Sequence, residues 1–354
     1  ALRTALEVGD APVLVRALAW ESIVSALAGD APSRARADDL AAAAEQLAQH
    51  VAEPHALAWA MSAAAVAAAC EDRWQRTFDL CEYAEALFRQ ESADSAWEVA
   101  TLGVWWRLPA VLHLGAVEDL AAMLGDLLHE ADLRGDLYCA TTARVHLLPQ
   151  LLLLRDRPTE ALDEIRLALT RWPSGWHLQH WAAAMSRCEA QLYRGETSAA
   201  LEGLERAWPS MLAADQLALH HVRVRSHHVR ARAAIAFASK HGNAGVHALL
   251  RESLDALAAE SSPWATACAS AVEAALVLPD EGPDAAAVML DLASQRFAAL
   301  DMTVLAAATR AQASRLATPS GPHAQPAHVA LASLSARGVR RPEALVTALV
   351  PLLA

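Results

Sequence analysis

Apolar side chains recur at steps of three and four along most of the chain, the spacing that lines one face of an α-helix. The pattern is clearest over residues 176–208. Leu178, Trp181, Ala182, Met185, Cys188 and Leu192 form one stripe, and Ala200, Leu204 and Ala207 form another. Between them Tyr193-Arg194-Gly195-Glu196 offers a tight turn. The pattern predicts two helices that run back on each other about Gly195. Small residues at the ends of the second stripe let helices approach closely, and the large residue between them fills the groove.

The same small–large–small series recurs. Ala161, Ile165 and Ala168 repeat it upstream; Thr77, Cys81 and Ala84 give a looser copy, and Ala286, Leu290 and Ala293 one downstream. The step from Ala161 to Ala200 is 39 residues, and the steps from Thr77 to Ala161 (84) and from Ala200 to Ala286 (86) each fit two units. The expected fold is therefore all-α: a tetratricopeptide-like α-solenoid of stacked antiparallel hairpins, with a repeat of about 40 residues against the usual ~34. A lone hairpin leaves an apolar face open, so each unit must cover the next.

Taken in order, the punctuation predicts helices over 11–28, from Ser33 as a cap to about His50, 54–69, Trp74 to about Gln90, 96–114 (kinked at Pro109), 116–134, 136–154, 158–171, then the organising pair. A long helix from about Gln216 to Ser239 follows, then 246–260, 264–278, 284–300 and 303–316. Residues 1–316 form the array, about seven to eight hairpins; 317–326, Ala-Thr-Pro-Ser-Gly-Pro-His-Ala-Gln-Pro, read as a linker. The remainder, 327–354, supplies two short helices over 327–336 and 342–352 that cap the last repeat.

Composition supports helices: hydrophobic residues are 55%, glycine is scarce and alternating β-branched runs are absent. The net charge of −12 argues against nucleic acid as a partner, since phosphate contacts need a basic surface. Lys240 is the only lysine, a bias expected of a GC-rich bacterial genome. Cysteines 70, 81, 139, 188 and 268 are odd in number and dispersed, the pattern of reduced thiols in a cytoplasmic protein. No apolar run reaches the ~18–20 residues of a membrane span, so no membrane association is expected. The start, Ala-Leu-Arg-Thr-Ala-Leu, has the look of a piece cut from a longer chain.

Three phrases carry a more specific likeness. Gly135-Asp136-Leu137-Tyr138-Cys139-Ala140-Thr141, Trp176-His177-Leu178-Gln179-His180-Trp181 and Leu192-Tyr193-Arg194-Gly195-Glu196 resemble the C-terminal helical region of large bacterial signalling proteins. The ending, Ala336-Arg337-Gly338-Val339-Arg340-Arg341-Pro342-Glu343, is similar to the close of those chains. In that family a serine/threonine kinase domain precedes an AAA-type (STAND-like) ATPase domain and a tetratricopeptide-like array. The resemblance implies that the ATP and Mg sites lie upstream and that this chain carries no cofactor. The residues agree: there is no Gly-x-x-x-x-Gly-Lys-Ser/Thr loop, no His-Arg-Asp and no Asp-Phe-Gly. No catalytic, cofactor or metal residue is expected.

Candidate contact residues remain. His177 and His180 share a helical face and could hold a metal, but two ligands without a third fit packing or capping better. Arg223, Arg225, Arg230 and Arg232 lie on one helix with His220, His221, His227 and His228, the sole basic segment of an acidic chain. It could dock an acidic partner; the plainer reading is a solvated face paired with neighbouring acids. Trp181, with Trp20, Trp59, Trp97, Trp105, Trp106 and Trp264, could line a concave groove, or fill the core between repeats. The expected role is a regulatory arm that binds a protein or peptide partner, or its own upstream kinase or ATPase domains. The alternative is a sensor for a small-molecule effector. An enzyme reading has no positive support.

Overall fold

A computed structural model describes residues 2–91, 95–242, 245–317 and 327–353. The protein is all-helical, with no strand among the described residues, and its helices pack in adjacent pairs. Contacts divide it into two units, residues 1–112 with 218–221, and residues 113–217 with 222–354.

The first unit holds α1 (Leu2–Val8), α2 (Ala11–Ala28), α3 (Ala31–Val51), α4 (Pro54–Cys70), α5 (Trp74–Glu91) and α6 (Ala96–Leu102), with most of α7 (Leu108–Leu114). Acidic caps set the early starts. Asp10 accepts from Val13 N at 3.0 Å and Asp30 from Ser33 N at 2.9 Å. Ser33 was the expected cap of α3; it is the donor, because Pro32 occupies the first turn and pushes the cap back to Asp30. The kink expected at Pro109 appears as a π-helical turn, Gly103–Arg107, where Leu108 N reaches back to Gly103 O. The wider turn accommodates a ring that an α-helical ladder would exclude.

Two features of this unit went unread in the sequence. α1 was missed altogether. α2 is long and apolar enough to cross a membrane by length and composition, contrary to the expectation that no run is. In the fold, its Val15, Ala19, Ser22 and Ala26 form a buried stripe, and α2 packs on α3 and α4. Ala-rich α4 is buried nearly all round, because small side chains let α2, α3 and α5 approach it together.

The second unit continues with α8 (Val117–Arg134), α9 (Leu137–His146), α10 (Leu148–Leu154), α11 (Pro158–Thr170), α12 (Leu178–Tyr193) and α13 (Thr197–Ala213). It goes on with α14 (His220–His241), α15 (Val246–Ala259), α16 (Pro263–Glu281), α17 (Pro283–Ala299), α18 (Thr303–Leu316), α19 (Ala327–Ala336) and α20 (Pro342–Leu349). The helix expected over 136–154 breaks at Leu147, just before Pro149. The long helix expected from Gln216 starts at His220, after a short 3-10 turn.

The small–large–small series sits where the spacing put it. Thr77, Cys81 and Ala84, Ala161 and Ile165, Ala200 and Leu204, and Ala286, Leu290 and Ala293 are all buried against neighbouring helices. Two further copies are buried as well: Ala37, Ala41 and Ala44 on α3, upstream of Thr77, and Val246, Leu250 and Ser253 on α15, between Leu204 and Ala286.

Within the second unit, contacts also run beyond neighbours. Thr303 Oγ1 donates to Leu114 O at 2.7 Å, so tightly that a Cβ on Gly115 would collide with it. At the C-terminus, α19 packs on α18, while α20 packs on α18 and on α12. Arg340 N donates to Leu154 O at 2.9 Å. The closing helices therefore lie on helices well back in the sequence as well as on the last pair. Of the expected linker, residues 318–326 fall outside the described residues.

Candidate functional site

The basic segment becomes α14, and its arginines point into the second unit. Four acids from other helices or loops receive them, at sequence distances too long for a local pattern to show. Arg230 makes a bidentate pair with Glu205, Nε–Oε1 2.6 Å and Nη2–Oε2 2.9 Å, and a further contact to Glu252 at 2.9 Å. Its guanidinium also lies 4.1 Å from the centre of the Trp208 ring. Arg223 pairs with Glu260 and donates to Leu217 O at 2.7 Å. Arg225 and Arg232 share Glu189: Arg225 Nη2–Oε2 is 3.0 Å and Arg232 Nη1–Oε1 2.9 Å. Arg232 uses its other edge on Ala348 O, tying down the end of α20.

Glu189 is the hub. It stands in the apolar stripe of α12 and also accepts from Gln150 Nε2 at 2.7 Å. Burial alone would raise its pKa; the two guanidiniums outweigh this and hold it down at about 2. The histidines of this helix take the opposite role. His228 is buried beside Arg232, and desolvation first, then that charge, lowers its pKa to about 3. His227 packs edge-on against Trp208, its ring centre 5.2 Å away, and is lowered to about 4, mainly by burial and then by Arg230. Both stay neutral at pH 7.

These positions bear directly on the expected dock. Arg230 and Arg232 are 6% and 4% exposed and His227 6%, so they are closed to a partner in this fold. The pairing expected with neighbouring acids is present, but it is buried where a solvated face was expected. Trp181 is also interior: its Nε1 donates to Ser226 Oγ at 2.8 Å, and Arg225 lies over its ring. Trp59 and Trp264 are buried, whereas Trp20 and Trp97 remain exposed and stack with centroids 6.2 Å apart. His177 and His180 lie at the start of α12, where His180 Nδ1 accepts from His177 N at 3.2 Å. That contact caps the helix. No group of three metal-ligating side chains occurs among the described residues.

Among the described residues, two hollows stand out. The larger, about 550 Å³ in the first unit, is rimmed by Arg3, Glu7, Glu21 and Arg36, whose charges already pair as Arg3–Glu7 and Arg36–Glu21. The smaller, about 110 Å³, lies between α12 and α13. Its apolar wall includes Leu169, Ala183 and Leu204, with Trp176 and His180 at one end and Arg187 and Gln191 along α12. Trp176 is held in place by its Nε1–H donating to Gln216 Oε1 at 2.7 Å.

His180 is the one sequence candidate that the cleft brings into play. Arg187, Gln191 and Gly203 were missed. His180, Arg187 and Gln191 stand seven and four residues apart, which places them on one face of α12. That polar stripe opposite the apolar one was legible.

The chain matches no model of a known protein family. No curated protein matches it either.

Proposed function

We propose that this chain is a non-catalytic interaction and regulatory arm of a bacterial serine/threonine kinase or STAND-type ATPase signalling protein. In this reading it is built from tetratricopeptide-like units of about 40 residues and works in the cytoplasm. The observation that carries it is the open cleft on the α12–α13 hairpin, a polar stripe on a helix whose opposite face is locked into the core. Such a pair presents side chains outward without disturbing its own packing. The buried series from Thr77 to Ala293 supports the repeat reading, because its first two positions are buried in every copy; Ala207, the third position of the organising pair, is half-buried.

A sensor for a small effector is the competing reading. Sites for such ligands usually enclose ~300–1,000 Å³; this cleft of about 110 Å³ is too small to engulf one, and the hollow of about 550 Å³ in the first unit has its rim charges already paired with each other. It suits a projecting group of a larger partner. A partner held there biases the upstream domains only if it binds their active and resting arrangements with different affinity.

The direct test is the open reading frame that encodes Ala1. Kinase and nucleotide-binding domains encoded upstream in the same frame are the expected result. A frame that carries neither domain would overturn the assignment.

A further inference from the structure

Arg187 and Arg206 stand on the two helices that form the cleft. Arg187 is exposed and makes no ion pair among the described residues. Arg206 has one loose partner, Glu202 at 3.9 Å, in a pair that is 74% and 65% exposed. An exposed contact of that length holds its charge weakly. Surrounding protein and then the like charge of Arg206 lower the pKa of Arg187. Arg223, Arg225, Arg230 and Arg232 of α14 are each matched to an acid, whereas Arg187 and Arg206 repel each other in a chain of net charge −12.

A second observation lies in the lining of the same cleft. Gln191 Oε1 is buried and accepts no hydrogen bond from the described residues, so a donor that enters the cleft gains an acceptor there. Gly203 faces it across the gap. A Cβ placed there would sit 3.8 Å from Gln191 Oε1 and 4.0 Å from Arg206 Nη2. The absent side chain leaves the acceptor open to the cleft, with the Arg206 guanidinium beside it and outside its lining.

We propose that this cleft receives the side-chain carboxylate of a glutamate presented by a protein partner. Arg187 and Arg206 donate to the carboxylate oxygens, and Gln191 Oε1 accepts from a peptide N–H of the partner. The volume decides the size of the group. About 110 Å³ equals some four waters at ~30 Å³ each, enough for a carboxyl group with two methylenes and too little for a drug-sized ligand. The apolar wall of Leu169, Ala183 and Leu204 accommodates the methylenes, and the guanidiniums supply charge-assisted hydrogen bonds.

The inference deepens the interaction-arm reading and rests on it for the word partner, but its test needs neither the upstream domains nor a known partner. The probe is N-acetyl-glutamic acid N-methylamide, titrated into the whole chain. Binding is followed by NMR at the Trp176 indole N–H and the Arg187 Nε–H. Saturable shifts at both are expected, with affinity reduced at least tenfold in R187Q and no saturation with the matching glutamine derivative. Because Arg187 is exposed, R187Q should fold; Gly203→Ala, which narrows the cleft at a helical position without a clash, is the second variant and should also weaken binding. Equal binding of the glutamate and glutamine derivatives would overturn the proposal. So would preferential binding of inorganic phosphate, or free glutarate binding at least tenfold more tightly than the blocked residue. Loss of binding in R187Q with an upstream frame lacking kinase and ATPase domains would uphold the site and overturn only the parent assignment.

Discussion

Substituting Glu189 with Gln tests the interior of the second unit most sharply. The change keeps the shape of the side chain and removes its charge. Two guanidiniums then lose their common anion: Arg232, with 5% of its side chain exposed, and Arg225, with 16%. Removing one member of a buried ion pair costs about 3–5 kcal/mol, because the remaining charge is left in a poorly solvated place. The amide oxygen can still accept one of the original bonds, which puts Gln at the low end, about 3 kcal/mol. Linkage gives the same size: a carboxyl held at about 2 against an ordinary 4.5 is worth about 3 kcal/mol at 1.36 kcal/mol for each pH unit. The sign follows from the lowered pKa. The contribution is full above about pH 4.5 and is lost as pH falls towards 2, so the gap between E189Q and the parent chain should close over that window. The assay is urea unfolding at pH 7, read by circular dichroism and by tryptophan fluorescence, since Trp181 lies beside the network. Arg206→Ala, which removes only an exposed 3.9 Å contact, is the control and should stay within about 0.5 kcal/mol. A loss below about 1 kcal/mol in E189Q would refute the reasoning.

The buried histidines make a second pH prediction. His227 and His228 have folded-state pKa values lowered to about 4 and about 3, so the unfolded chain binds more protons than the native one below about pH 6.5. Stability should fall from pH 6.5 to about 4, each histidine adding up to about 1.4 kcal/mol per pH unit; a flat profile of unfolding free energy over that range would contradict their burial. Gly203→Ala should raise the stability of α13 by about 0.5–1 kcal/mol, since helical Gly is disfavoured and the new methyl meets only ordinary contacts; a lower melting temperature would count against the open cleft. Gly29→Ala should lose at least ~1 kcal/mol, because φ is +83° and a Cβ would come within 2.6 Å of the His220 side chain; melting curves check it. Cys188 should resist a disulfide exchange reagent in the native protein, its thiol buried and pushed up to about 12; rapid labelling without unfolding would show that α12 opens.

What the sequence made legible was local. The helical stripes, the turn at Gly195 and the small–large–small series all depend on spacing within one or two turns, and Ala161, Ala200, Leu204 and Ala286 are buried as that spacing requires. The copies on α3 and α15 were missed because Ala37-Ala41-Ala44 lacks the large central residue and Val246-Leu250-Ser253 the small first one. The direction of the α14 arginines was not legible. Alternating Arg and His on a helix looks the same whether it faces water or acids, and Glu189, Glu205, Glu252 and Glu260 lie on other segments of the chain. Glu189 itself was a signal, an acid within a stripe that runs from Trp181 to Leu192. The bond that ties α20 to α14 had no signal at all, since Arg232 meets a backbone carbonyl that any residue supplies at position 348.

Native-state hydrogen exchange of α14 tests the central point, that this basic helix is the internal spine of its unit, locked by Glu189, Glu205 and Glu260. Amides from Val222 to Ala238 should be among the slowest of the whole chain, exchanging only on global unfolding. Exchange of these amides at the rate of an exposed, locally opening helix would contradict it, and would return the arginines to the surface.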